Sequence, residues 1–253
     1  MRKYRLKRGV YWVIGGIILF SLLGFIQSQQ ADRAFKNVVV NIDVKYDNYF
    51  VDEQDVLSLL TLSETEFIIG RKYEDIDLKE LEERVKSHNF VEEAEVFKDY
   101  KGNLIVEVSQ RRPIARIIRT NGPHAYITDK GLTIPTSDKF TSRVVLVDGG
   151  FVDNFFDEAF MQADTVKPYL ELLRTIDKDK FLKAQIAQVT IEKDGDVVLH
   201  PQIGDERIEL GLPENLELKL NKLRVYYKKI LPLKGWNKYN KVNLKYKDQI
   251  ICE

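Results

Sequence analysis

Between positions 10 and 26 the chain reads VYWVIGGIILFSLLGFI, with no charge, no proline and Ser21 as the one strongly polar side chain. At about 1.5 Å per residue such a run, with its flanks, crosses a hydrocarbon core about 30 Å thick. A spanning segment must satisfy its own backbone hydrogen bonds, so the run predicts a helix. Alternation follows. Val38, Val40, Ile42, Val44 and Tyr46 alternate with Asn41, Asp43 and Lys45, the period of a half-buried strand. Asp47 and Asn48 then make a turn, and Asp52 caps a short helix with Val56, Leu59 and Leu60 inward. After a looser connection over residues 61–74, Asp77 and Glu80 carry the spacing of a capping box. Leu78, Leu81 and Val85 mark the inner face of the helix they open. Val91, Ala94 and Val96 predict a strand, Tyr100-Lys101-Gly102-Asn103 a turn, and Leu104, Val106 and Val108 its partner strand. The order β-α-α-β-β predicts a small α+β domain with helices on one face of a three-stranded sheet.

The second stretch is richer in strands. Ile114, Ala115, Ile117 and Ile118 form one, and residues 124–127 and 132–135 form a hairpin about Thr128-Asp129-Lys130-Gly131. A strand over residues 143–148 ends at Gly149-Gly150. Helices follow at residues 154–162 and after Pro168, which a helix tolerates only in its first turn. Residues 187–192 and 196–200 flank the hairpin turn Lys193-Asp194-Gly195. A strand over 207–211, a helix over 216–230, a strand over 241–246, a turn at Lys247-Asp248 and a last strand over 249–252 complete the pattern. The predicted fold class is α+β: an N-terminal transmembrane helix, the β-α-α-β-β domain, then a mixed β domain with flanking helices.

Charge orients the chain. Arg2, Lys3, Arg5, Lys7 and Arg8 precede the apolar run and no acidic residue appears before Asp32, so residues 1–9 are expected in the cytoplasm and the bulk outside. A cleaved signal peptide would end in a small-x-small triplet, whereas QSQQADRAF follows Ile26. A retained anchor is expected. Lys and Arg equal Asp and Glu at 39 each, but five basic residues precede the anchor, so the outer part is mildly acidic and offers nucleic acid no electrostatic footprint. With 44% hydrophobic residues it has the means to bury a core. Cys252 is the one cysteine, so no internal disulfide forms, and it reads as a small apolar residue of the last strand.

Catalytic chemistry finds no constellation. His88, His124 and His200 lie far apart with no metal-ligand spacing. Asp177-Lys178-Asp179 and Asp194-Gly195-Asp196 lack the spaced ligands and distal glutamate of a calcium loop. No G-x-S-x-G or S-x-x-K occurs, and Gly70-Arg71-Lys72 lacks the upstream glycine of a phosphate loop. No catalytic residue, metal or cofactor is expected.

The β-α-α-β-β unit resembles a POTRA module. Its exit, Val106-Glu107-Val108-Ser109-Gln110-Arg111-Arg112-Pro113-Ile114-Ala115, is similar to the V-x-V-x-E-R-x-P-x-A junction of the FtsQ/DivIB cell-division family. Arg111, Pro113 and Ala115 match the junction, and Gln110 stands where that family commonly has glutamate. Asp129, Gly131 and Pro135 resemble that family's opening hairpin. Val242-Asn243-Leu244-Lys245-Tyr246 is similar to its closing hDLRY/F, with Asn243 for aspartate and Lys245 for arginine.

The resemblance implies a cytoplasmic tail (1–9), a transmembrane helix (10–26), a stem (27–36), a POTRA domain (37–110) and a β domain (111–253). It implies a single-pass protein of the bacterial cytoplasmic membrane, placed at the division septum with its bulk outside. Its role would be that of a non-enzymatic scaffold whose partners are small bitopic coiled-coil proteins of the FtsB and FtsL classes. A last strand at a sheet edge, followed by one residue, would leave backbone groups for a partner to pair with. Lys245, Tyr246, Gln249, Ile250 and Ile251 are the expected binding strip. Two other readings stand beside this one. A POTRA-type transport or assembly component would show several POTRA repeats or a membrane β-barrel. An anchored cell-envelope enzyme would need a site of unfamiliar form.

Overall fold

The computed structural model describes residues 16–21, 34–61, 68–236 and 238–253. Of the expected membrane span only residues 16–21 fall within it. They are helical and exposed; the rest of the span, the basic tail and most of the stem lie outside the described residues. Among the described residues no helix is long and apolar enough to cross a membrane. The chain divides into two compact units at Gln110/Arg111.

The first unit is built from β1 (Asn37–Asp43), α1 (Glu53–Leu60), α2 (Leu78–Lys86), β2 (Val91–Lys98) and β3 (Asn103–Gln110). The strand order is β1-β3-β2, with β1 parallel and β2 antiparallel to the central β3. Val56, Leu60, Leu81 and Val85 bury one helix face each over the sheet, and Phe50 stacks on Phe90 with centroids 4.5 Å apart. A register shift between Val91 and Glu93 explains why the inward positions of β2 run Val91, Ala94, Val96: the bulge moves the buried set by one residue. The reciprocal capping box sits at Asp52 and Asp55, not at Asp77 and Glu80. Asp77 does cap α2, but the Glu80 carboxylate turns to Arg84 at 2.6 Å. β1 stops at Asp43, so Val44 and Tyr46, expected as strand residues, are exposed.

Gln110 fixes the chain beyond them. Its buried amide oxygen accepts from the N–H groups of Phe50 (2.9 Å) and Val51 (3.1 Å), while its nitrogen donates to the Asn48 carbonyl at 2.9 Å. An amide performs both roles and a carboxylate only the first.

The second unit holds one nine-stranded sheet. Its strands are β4 (Pro113–Ile117), β5 (Ala125–Thr128), β6 (Thr133–Pro135), β7 (Val145–Asp148), β8 (Ile186–Ile191), β9 (Val197–Pro201), β10 (Arg207–Gly211), β11 (Lys241–Asn243) and β12 (Ile251–Cys252). They lie in the order β12-β11-β10-β9-β8-β7-β4-β5-β6. The pairs β4/β7, β7/β8 and β10/β11 are parallel. Parallel neighbours need long crossovers. Between β7 and β8 run α3 (Glu158–Gln162), α4 (Lys167–Lys178) and α5 (Lys180–Gln185). Between β10 and β11 run α6 (Leu216–Val225), a π-helical turn (Tyr226–Ile230) and α7 (Leu231–Lys234). Leu172, Leu173, Ile176, Leu220 and Leu223 of these crossovers share a core with Val147, Val189, Leu199 and Ile208 of the sheet.

Several expected elements change length. The helix expected over 154–162 divides into a 3-10 turn (Val152–Phe156) and α3, because Asp157 starts a new cap with its carboxylate on Ala159 and Phe160 N–H. α5, absent from the sequence reading, begins the same way, capped by Asp179. The helix expected to end at Ile230 continues to Lys234. Pro232 has no N–H for the Lys228 carbonyl and its ring crowds that carbonyl, and the wide π turn just before it opens the needed space. Gly149 (φ +107°) is fixed by close approach, since a Cβ there would lie 2.1 Å from the Ile191 carbonyl oxygen.

Candidate interaction site at the C-terminal sheet edge

The strands expected over 241–246 and 249–252 form only as Lys241–Asn243 and Ile251–Cys252. Asn243 is the cause: its side-chain oxygen accepts the Lys245 N–H at 2.9 Å and turns the chain out of the sheet. Among the described residues β12 pairs with β11 alone, Val242 opposite Cys252 and Asn243 opposite Ile251. Glu253 and Lys241 exchange both backbone bonds, at 2.9 and 3.1 Å. Antiparallel alternation then turns the N–H and C=O of Cys252 away from β11, out of the sheet. Ile250 and Cys252 pack inward on the core.

Beside this edge lies a groove of about 1120 Å³ between α6 and the turn at residues 247–250. Gln249 and Ile250 form one wall; Leu216, Leu218 and Val225 form the other, with Pro168 at one end. Leu218 and Val225 are 40% and 41% exposed, an apolar pair seven residues apart on a helix whose buried stripe is Leu216, Leu220 and Leu223. That second stripe was visible in the sequence as apolar positions off the core face, and the sequence reading missed it.

The expected strip divides in two. Gln249, Ile250 and Ile251 lie together at the groove and edge. Lys245 points elsewhere: its ammonium meets Asp196 at 2.5 Å, a bond that raises its pKa above the lysine norm, and its stem lies over Gly211. Tyr246 is exposed, and its carbonyl accepts from Lys222. Lys222, also unforeseen, donates to the Leu244 carbonyl at 3.3 Å and so ties α6 to the segment entering the turn.

Beneath the edge, buried Glu206 neighbours Tyr226 and Tyr227 of the π turn. Burial first, then the Asp205 charge, push its carboxyl above the usual range. Burial also raises the Cys252 thiol, the opposite of what a reactive thiolate needs.

At the junction, Pro113 opens β4 and Ala115 is fully buried opposite Val145 and Ile127. Arg111 is half-buried. Its neighbour Arg112, which the junction pattern leaves unspecified, pairs with buried Asp177, whose other oxygen takes Lys183 at 2.7 Å.

The histidines serve local roles. His124 Nδ1 accepts from Arg119 N–H at 3.2 Å, and His88 Nδ1 from Phe90 N–H at 3.4 Å. His200 meets the Thr190 hydroxyl at 3.0 Å, which in turn meets Asp148 at 2.6 Å. Here the carboxylate holds the hydroxyl rather than the imidazole, so no base is oriented as a triad requires. Among the described residues no cluster of His, Cys, Asp or Glu is placed to hold a metal ion.

The first unit, with two helices on a β1-β3-β2 sheet, and the second, with its long mixed sheet and C-terminal edge hairpin, define a POTRA-like module joined to a division-type β domain. Residues 34–109 match the family model of the POTRA-like domain, and residues 112–253 match the model described as FtsQ/DivIB, C-terminal related. The chain belongs to the FtsQ/DivIB family. No curated protein matches it. Members of this family are membrane-anchored cell-division proteins and non-catalytic scaffolds, and this chain is a division-related scaffold protein.

Proposed function

We propose that this chain links septal division proteins by β-augmentation: an extended segment of a small bitopic partner, of the FtsB or FtsL class, pairs with the outer side of β12. The observation that carries this reading is the outward N–H and C=O of Cys252 on a strand paired on one side only. The adjoining groove supports it, since Leu218, Val225 and Ile250 offer apolar surface to residues flanking the captured strand. On this reading Gln249, Ile250 and Ile251 touch the partner, and Lys245 and Tyr246 hold the turn that presents them.

The test is capture of purified partner by the full chain in detergent or nanodiscs, beside a chain ending at Lys245. The expected result is loss of capture by the shortened chain with its circular dichroism retained. Equal capture by both would move the site away from β12. Turnover of a cell-wall substrate by the intact chain would instead favour the enzyme reading.

A further inference from the structure

The end of the crossover helix presents a second unpartnered surface. Residues 232–236, Pro-Leu-Lys-Gly-Trp, are exposed without interruption, Leu233 at 84% and Trp236 at 48%. They are held in place from below. Leu231 is fully buried, its carbonyl accepts the Gly235 N–H at 2.8 Å, and the indole lies 6.5 Å from the Tyr227 ring. The apolar tip is therefore presented by a fixed helix end.

The stretch of chain that carries the tip is of one sign, although Arg224, Lys241 and Lys245 within it pair with Asp179, Glu209 and Asp196 of other elements. Residues 218–247 contain ten Lys and Arg and no Asp or Glu. Lys228, Lys229, Lys234 and Lys238 bracket the tip, and none of the four forms an ion pair among the described residues. The tip lines no part of the groove beside β12.

We infer that this tip is a peripheral contact for the anionic surface of a phospholipid bilayer. Leu233 and Trp236 enter the boundary between headgroups and acyl chains, and the lysines reach the lipid phosphates. An exposed leucine and tryptophan bracketed by lysines without ion pairs is the composition of an interfacial membrane contact. Indole rings favour the headgroup level, and lysine stems lie along apolar surface while their ammonium groups stay in water. A protein partner fits less well, because lysine is depleted in the cores of protein interfaces. The family's membrane anchorage puts a bilayer at hand.

The sequence supplies its own probe, since Trp12 and Trp236 are its two tryptophans. The full chain carrying Trp12→Phe is placed in nanodiscs made with lipids brominated on the acyl chains, zwitterionic or with an anionic fraction. Trp236 emission is expected to be blue-shifted and quenched in the anionic discs. Leu233→Ser should lower the bound-to-free ratio about tenfold, and each Lys→Ser at 228, 229, 234 or 238 about fivefold. Raising salt about tenfold shortens the screening length about threefold and should release the tip. Circular dichroism of these variants should be unchanged, since the altered side chains are exposed. Equal emission in both kinds of disc, or quenching indifferent to Leu233→Ser, would overturn the inference. Emission that shifts only when a purified bitopic partner is added would overturn it too, and would assign the tip to that partner.

Discussion

Among the described residues β2 of the first unit and β12 of the second are each paired on one side only, and the two edges are built in opposite ways. In the first unit β2 reads Val-Glu-Glu-Ala-Glu-Val-Phe-Lys, with four charges in eight residues and a bulge at its start. Charge and bulges are the usual means by which an edge refuses further strands. On the open face of that sheet Glu107 lies between Glu95 and Asn41, and Ser109 between Glu93 and Asp43. In the second unit β12 is Ile-Cys, uncharged and unbulged, beside a groove of mixed lining in which Leu218 and Val225 are exposed. Charge over the two units differs in the same sense: residues 37–110 carry 18 Asp and Glu against 8 Lys and Arg, while residues 111–253 carry 20 against 24. An edge is open where the chain leaves out its defences.

The comparison is most sharply broken within the first unit by Gln110→Glu. A carboxylate keeps the bonds from Phe50 and Val51 N–H but faces the Asn48 carbonyl without a donor. A loss of about 2 kcal/mol is expected in chemical denaturation, confined to the first unit's transition. Next comes a transplant of one edge's defence to the other. Ile251→Lys gives β12 the charge that β2 carries, and capture of the bitopic partner should weaken about tenfold with the melting temperature nearly unchanged.

Acid and base should act oppositely on Glu206 of the second unit and Asp99 of the first. Glu206 has a folded pKa raised by burial, so its contribution is fully present below the unfolded pKa and is lost as pH rises through the folded one. Asp99, held low by the Asn103 N–H and side chain, contributes above its unfolded pKa and loses this as pH falls through the folded value. Glu206 should weaken the second unit as pH rises from acid to neutral, so in unfolding followed over that range Glu206→Gln should be more stable relative to the parent at neutral than at acid pH. The smallest effect is a gain. Glu107→Thr removes a like-charge pair with Glu95 and should stabilise the first unit by about 0.5 kcal/mol, less at high salt.

Which parts of this were legible in the sequence follows from the range of the forces concerned. Alternation and caps act within a few residues, so β1, α1, β3, the Thr128–Gly131 hairpin and the strand at 207–211 stood out. The β2 bulge is set by pairing with β3, and the capping box moved because Arg84 competes for Glu80. The length of β11 depends on one Asn243 side chain turning back on the backbone, which period-two counting cannot register. At the site, the edge position of the last strand followed from the resemblance and strand order. The groove did not, because it needs α6 beside the 247–250 turn, a proximity created by the parallel β10/β11 pairing and its crossover.

The π turn at residues 226–230 carries a further consequence, expressed in chain length rather than composition. A π turn holds one residue more than the α winding it interrupts. Each α-helical residue advances the side-chain direction by about 100°. Deleting one residue from that turn would restore unbroken winding with no swing, whereas α winding that kept all five would swing everything beyond it by about that angle. Leu231 would then leave its fully buried place, and the direction in which Leu233 and Trp236 face would turn with it. The helix thus behaves as two segments set out of phase by a single inserted residue. The first is keyed to the core by Leu216, Leu220 and Leu223, and the second carries its own key at Leu231.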